Sequence, residues 1–207
     1  MTKLTISCTP EQADKIRAFL RYLDGASVTE QSNAAAHWQA TPSQPVTVPV
    51  ARAVHGLTLT MHTDASCKGN PGPTGMAIIV HEGDMATQGF GWSGGTGYNH
   101  AAELSAVLSA LNLAAIRQAE HVIIVTDSDY VHLKSRDWYG RWIEGRLPAI
   151  ANPQLWNAMF RMKHDLELAG VDVSIQCVRA HTGHVLNERA DRLAGMACKR
   201  QGELIEE

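Results

Sequence analysis

The sequence predicts an α/β fold, a mixed five-stranded sheet flanked by helices and preceded by a small βαβ-like amino-terminal unit and a linker. Three observations carry this. Segments of strand alternation and of helical periodicity follow one another in the order βββαβ(α)αβα. Val122-Ile123-Ile124-Val125 is a continuous apolar run, as expected of a strand buried on both faces. Between residues 32 and 55 the composition shifts to Ala, Ser, Thr, Gln and Pro, which separates a short unit (1–31) from a larger domain (56–207).

In the first unit, Leu4-Thr5-Ile6-Ser7-Cys8 alternates like a strand, and Thr9-Pro10-Glu11 supplies an N-cap, a proline at the first helical position and an early acid. Ile16, Phe19, Leu20 and Leu23 then fall at helical spacing, Asp24-Gly25 ends the helix, and Ala26-Ser27-Val28-Thr29 reads as a second strand. Such a unit is too small to hold a core alone, which leads to the expectation of a homodimer formed through it. In the larger domain, Leu57 to Asp64 alternates, Gly69-Asn70-Pro71-Gly72-Pro73 turns, and Met76 to Val80 is the next strand. Phe90 and Trp92 mark a third strand. Asn99 opens a helix whose Leu104, Val107, Leu108, Leu111 and Ala115 form one apolar stripe. After the buried run come a short helix around Tyr130, a Trp-rich stretch to Trp142, a helix from Pro153 to Leu168, a strand from Val171 to Val178, and a helix from Asn187 to Arg200.

With 207 residues, 44% hydrophobic and 19% charged, the chain has the composition of a globular protein, which excludes disorder over most of its length as well as collagen-like and coiled-coil architectures. No apolar run approaches the roughly 18 residues of a membrane span, and Met1 to Thr5 lacks a signal-peptide core, so the expectation is a cytoplasmic protein with no membrane partner. Cys8, Cys67, Cys177 and Cys198 are scattered without a C-x-x-C pair and read as free thiols. A formal charge of −3 counts against nucleic-acid binding through bulk charge, so such a partner has to be argued from a site.

The acids point to one. Asp64 closes the first strand, Asp127 closes the buried fourth strand, and Glu103 lies in the first turn of the first large helix. Each has a bland reading as a helix cap, a dipole partner or the start of a turn. If the first and fourth strands are neighbours, however, Asp64 and Asp127 converge at one sheet edge, where ligands of open α/β sheets bind. Like charges packed so closely are tenable with cations between them, which suggests a carboxylate site for Mg²⁺.

Four segments then resemble, in order, the type 1 ribonuclease H family over residues 57–200. They are Thr63-Asp64-Ala65-Ser66-Cys67-Lys68-Gly69-Asn70-Pro71-Gly72, Asn99-His100-Ala101-Ala102-Glu103, Thr126-Asp127-Ser128-Asp129-Tyr130-Val131, and Arg179-Ala180-His181-Thr182-Gly183-His184 followed by Asn187-Glu188-Arg189-Ala190-Asp191. The resemblance implies the ribonuclease H-like sheet and an endoribonuclease that cuts the RNA strand of RNA/DNA hybrids, leaving a 5′ phosphate and a 3′ hydroxyl. It further implies that Asp64, Glu103, Asp127 and Asp191 bind two Mg²⁺ ions roughly 4 Å apart, with Mn²⁺ as a possible substitute. One ion would activate the attacking water and the other would stabilise the leaving oxygen. His181 would lie on the mobile loop beside the metals, assisting proton movement or product departure. Recognition of ribose rests on its 2′-OH. By resemblance, Cys67, Gly69, Asn70, Asn99 and Glu103 face the RNA strand, and Trp138 packs against a sugar of the DNA strand. Trp138 and Trp142, four apart on a helix, also suit core positions. Cys177, His181 and His184 have a spacing zinc accepts, without a fourth ligand.

The sequence departs from the family pattern in several places. Ile143-Glu144-Gly145-Arg146-Leu147-Pro148 stands where many members carry a basic protrusion. Tyr98 and His100 flank Asn99 where Thr and Asn or Gln are usual, and Asp129 replaces a usual Gln. Lys68 is a candidate compensating cation. Two further readings keep the fold: a nuclease acting on DNA, as integrases, transposases and junction nucleases do, and a non-catalytic hybrid-binding or protein-interaction module.

Overall fold

The computed structural model describes residues 50, 56–83, 87–201 and 204–207. The expected βαβ unit, its homodimer and nearly all of the linker fall outside these residues. Of the linker, Val50 is described, and it packs half-buried against the main core.

The chain runs β1 (Thr58–Cys67), β2 (Gly72–Glu82), β3 (Gln88–Gly97), α1 (Asn99–Arg117), β4 (His121–Thr126), α2 (Asp129–Ile143), α3 (Pro153–Leu168), β5 (Asp172–Cys177), α4 (Val185–Lys199) and β6 (Ile205–Glu206). The sheet order is β5-β4-β1-β2-β3-β6. Two hairpins build the antiparallel half, while β1–β4 and β4–β5 are parallel and joined through helices, as parallel pairs require. The sixth strand is an addition to the five expected; its two residues pair with Phe90 and Gly91, too short a run for alternation to reveal.

Each face of the sheet has its own apolar layer. Met76, Ile78 and Val80 alternate along β2 into the large core that also holds α1 and α3, while Ala77 and Ile79 meet Ala190, Leu193 and Ala194 of α4. This two-sided covering explains why β2 is buried over Thr74–Val80 rather than on alternate residues. Contact on the α4 side is close. A Cβ built on Gly75 would lie 2.2 Å from the backbone N of Cys198 and 2.3 Å from the carbonyl O of Ala194, so only glycine fits under this helix.

α1 is Ala- and Leu-rich and buried along most of its length, ending where Gln118 takes a left-handed conformation (φ 58°). Its last residue, Arg117, is buried and ion-paired with Glu82 of β2, which fastens the helix end to the sheet. The region after β4 differs from expectation. In place of a short helix and a Trp-rich stretch there is one helix of 15 residues, α2, capped by the Ser128 hydroxyl accepting from the Val131 N–H at 3.4 Å. Ring packing across to α3 sustains it: Trp138 meets Trp156 edge-on at 5.7 Å, and Tyr139 and Trp142 both lie against Phe160. Tertiary contacts of this kind outweigh the weak helix propensity of Gly140.

Candidate active site

β1 and β4 are neighbours, with Thr63 opposite Thr126, so Asp64 and Asp127 are the next residues on two adjacent parallel strands. β1 turns to β2 on one side and to β4 on the other, and the crevice at such a switch point opens at the carboxyl ends of the strands. Asp64 lies inside β1 rather than at its end, opposite Ala77. Glu103 is the fifth residue of α1, past the first turn, and is 6% exposed. Carboxylate oxygens of Asp64, Glu103 and Asp127 all lie within 4.8 Å of one another. Asp191 of α4 and His181 of the β5–α4 loop line the same cleft, which has a volume of about 460 Å³.

The capping readings of these acids do not survive this geometry. Ser128, not Asp127, caps α2, and the first turn of α1 contains no acid. Burial together with the charges of Asp127 and Asp191 pushes the Asp64 carboxyl up to about 8, against donation from the Ala65 backbone. Glu103 is raised well above the usual range by burial and by Asp64 and Asp127, opposed by a hydrogen bond from the Asn99 side chain. One Glu103 oxygen, Oε2, is buried with no hydrogen-bond partner. Carboxylates crowded together with an unsatisfied buried oxygen fit a hard divalent cation, which prefers oxygen ligands.

The surrounding loops bring most of the predicted substrate contacts to the rim. Asn70 Oδ1 accepts from the Asn99 backbone N–H at 3.1 Å, joining the β1–β2 turn to the start of α1. Cys67 donates from Sγ to the carbonyls of Gly69 (2.6 Å) and Gly97 (3.5 Å), and Gly69 takes φ 92°, which suits glycine. Trp138 stands apart from this group, half-buried on α2. Trp142 is also half-buried, and its indole N–H donates to Asn157 Oδ1 at 2.9 Å, a fold-holding contact. Cys177 donates to Asp129 Oδ1 at 3.4 Å, and among the described residues it forms no metal-ligand group with His181 and His184.

His181 is exposed and left-handed (φ 54°). Its loop is tied back to α4 by the Gly183 N–H donating to Glu188 Oε1 at 3.0 Å, and is closed internally by Thr182 Oγ1 donating to the Arg179 carbonyl at 2.7 Å. One participant escaped the sequence reading. Asn187, 2% exposed, donates from Nδ2 to Asp127 Oδ2 at 3.0 Å and so fixes how that carboxylate faces the cleft. Its position four residues before Asp191, on the same helical face, was the available signal.

The RNase H family model matches residues 57–199. Ribonuclease H of Rhodospirillum rubrum is 40% identical over 147 residues, covering 70% of this chain and 86% of that protein. Ribonuclease HI of Caulobacter vibrioides is 38% identical over 141 residues, covering 66% and 89%. Among solved structures, RNase H1 from Halobacterium salinarum aligns over 69% of this chain and 98% of its own, with 27% identity and a TM-score of 0.53. LC11-RNase H1, solved with an RNA/DNA hybrid, shares the fold at 20% identity and a TM-score of 0.51, over 69% of this chain and 97% of its own. The match spans the segment from β1 through α4 on which all the acids lie, and the chain therefore belongs to the ribonuclease H family.

Proposed function

We propose that this chain hydrolyses the RNA strand of RNA/DNA hybrids to 5′-phosphate and 3′-hydroxyl ends, with Asp64, Glu103, Asp127 and Asp191 as ligands of two Mg²⁺ ions that Mn²⁺ can replace. The observation that carries it is the convergence of Asp64, Glu103 and Asp127 within 4.8 Å around an unpartnered Glu103 oxygen. Divalent ions in such a site supply charge neutralisation at the scissile phosphate and an acidified water. The residues of the chain do the rest. Asn187 holds Asp127 in one orientation, and an outer hydrogen bond of this kind typically tunes a ligand's direction and basicity. Asn70 and Asn99, linked to each other, present amide groups at the rim for the ribose 2′-OH, the group by which RNA is told from DNA. His181, on its tied loop, exchanges a proton at the cleft mouth.

Hybrid, DNA duplex and RNA duplex of one sequence, incubated with Mg²⁺, Mn²⁺ or chelator, test this reading. The expected result is metal-dependent cutting of the RNA strand in the hybrid alone. Comparable cutting of duplex DNA would move the chain to the DNA-nuclease reading, and no cutting with any metal would leave a binding module. Cys67, Cys177 and Cys198 are free thiols in the structure, which supports placing the enzyme in the reducing cytoplasm.

A further inference from the structure

A row of rings leads away from the acids along α2. His100, at the start of α1, stacks on Tyr130 with centroids 4.1 Å apart and planes 12° from parallel, and both line the cleft. Tyr130, Lys134 and Trp138 follow at four-residue intervals and share one face of α2. The Lys134 ammonium lies over both rings, 5.1 Å from the Tyr130 centroid and 4.2 Å from that of Trp138. Two other cations of this helix pair have carboxylate partners: Arg136 with Asp137, and Lys163 with Glu167. Among the described residues Lys134 has no carboxylate partner.

This difference has a physical meaning. A cation held by ring faces is fixed in place without losing its charge, whereas a carboxylate partner would cancel it. The face is therefore a positioned positive charge set between aromatic surfaces, a combination that suits a nucleic-acid backbone, with rings against sugars or bases and the ammonium on a phosphate. From Tyr130 to Trp138 the helix advances about 12 Å, the axial span of three to four nucleotides. The row begins at His100, next to Asn99, and runs along α2 from the cleft; with the RNA strand at Asn99, as in the reading above, its far end would face the other strand.

We propose that Lys134 is the phosphate anchor of the uncut DNA strand, standing in for the Lys and Arg run absent after Trp142. The proposal rests on the hybrid-cleaving reading above. Lys134 is thus a second cation beside Lys68, the candidate compensating cation from sequence, which is exposed in the β1–β2 turn.

The test uses the full chain. Lys134→Met keeps the aliphatic stem on the rings and removes the charge, and Lys134→Arg restores a cation. For Lys134→Met at moderate salt, KM for a short hybrid should rise about fivefold to tenfold, kcat should change less than about twofold, and the slope of log affinity against log salt should fall by roughly 0.7 to 0.9, the value of one phosphate contact. Lys134→Arg should recover most of both. Binding of a fluorescent hybrid, measured in an Asp127→Asn background, gives the same comparison without turnover. Neutral methylphosphonate linkages in the DNA strand should erase the difference between Lys and Met at 134, while the same linkages in the RNA strand should leave it. An unchanged KM and salt slope would overturn the proposal, as would a difference erased only by neutralising the RNA strand, or a parallel loss of stability and kcat in both variants. A parent protein that binds hybrids with the expected salt slopes but never cuts them would overturn the catalytic reading and leave Lys134 in place.

Discussion

Glu167, half-buried near the end of α3, and Glu103, buried on the cleft floor, are carboxylates of one domain whose burial and neighbours both differ. Glu167 is ion-paired with Lys163 and accepts from the Tyr139 hydroxyl, which also lies 3.3 Å from His164. Glu103 has Asp64 and Asp127 beside it and an oxygen with no partner. A carboxylate that only holds helices together is surrounded by the protein's own donors. One whose neighbours are further carboxylates is folded at an electrostatic cost, and its counter-charge arrives from outside. The contrast separates an acid already paired within the fold from one left with an unpaired oxygen, the arrangement on which the proposed metal site rests.

The most severe way to break the contrast is to neutralise a member of the cleft cluster. Asp127→Asn keeps the shape and the neighbourhood of Asn187 yet removes a negative ligand, so hybrid cleavage in Mg²⁺ should fall by orders of magnitude in steady-state assays while the protein stays folded. Near-normal turnover would mean that Asp127 does not hold metal. The corresponding change at Glu167 should leave turnover intact.

A second test sharpens the contrast through pH. Asp64 titrates at about 8 in the folded protein against 3.8 for the ordinary group, so between these values the unfolded chain has released a proton that the folded one keeps. Stability of the metal-free protein should therefore fall as pH rises through that window, at a limiting slope of about 1.4 kcal/mol per pH unit for one group, with Glu103 acting in the same direction. Thermal melts in chelator should show the decline, and saturating Mg²⁺ should flatten it. A metal-free melting temperature that is level or rises over the window would contradict the crowding argument. The smallest effect belongs to the other region. Tyr139→Phe removes one donor from Glu167 and leaves Lys163 in place, so melting should drop by a few degrees, about 1 kcal/mol, with hybrid cleavage unchanged.

The acids were legible because chemistry places them where packing would not. An aspartate after Ile124-Val125-Thr126 conflicts with the apolar run before it, and that conflict survives in one dimension. The adjacency of β1 and β4, inferred as a condition, is met by the register Thr63↔Thr126. Asn187 was not legible as a participant, since a buried amide on an amphipathic helix looks like any polar residue until its partner, 60 positions away, is known. The continuity of α2 was hidden for a similar reason. Its stabilising ring contacts come from α3, so the local pattern around Gly140 carries too little of the energy to be read. The run from Met76 to Val80 was read as a strand, but its burial on both faces follows only from the opposed layers of α1 and α4.

Gly75 bears on the cleft although it touches none of the acids. The backbone of α4 rests directly on β2 at that residue, with no side chain between to repack or yield. Two main chains in contact are a stiffer spacer than any pair of rotamers. The same helix carries Asn187 and Asp191, so the height of both above the cleft floor is gauged by a missing methyl group near the helix's opposite end. The reach of Asp191 is thus a mechanical dimension of the scaffold, set once on folding, and in the proposed function any ions held there would meet a frame whose width the sheet has already fixed.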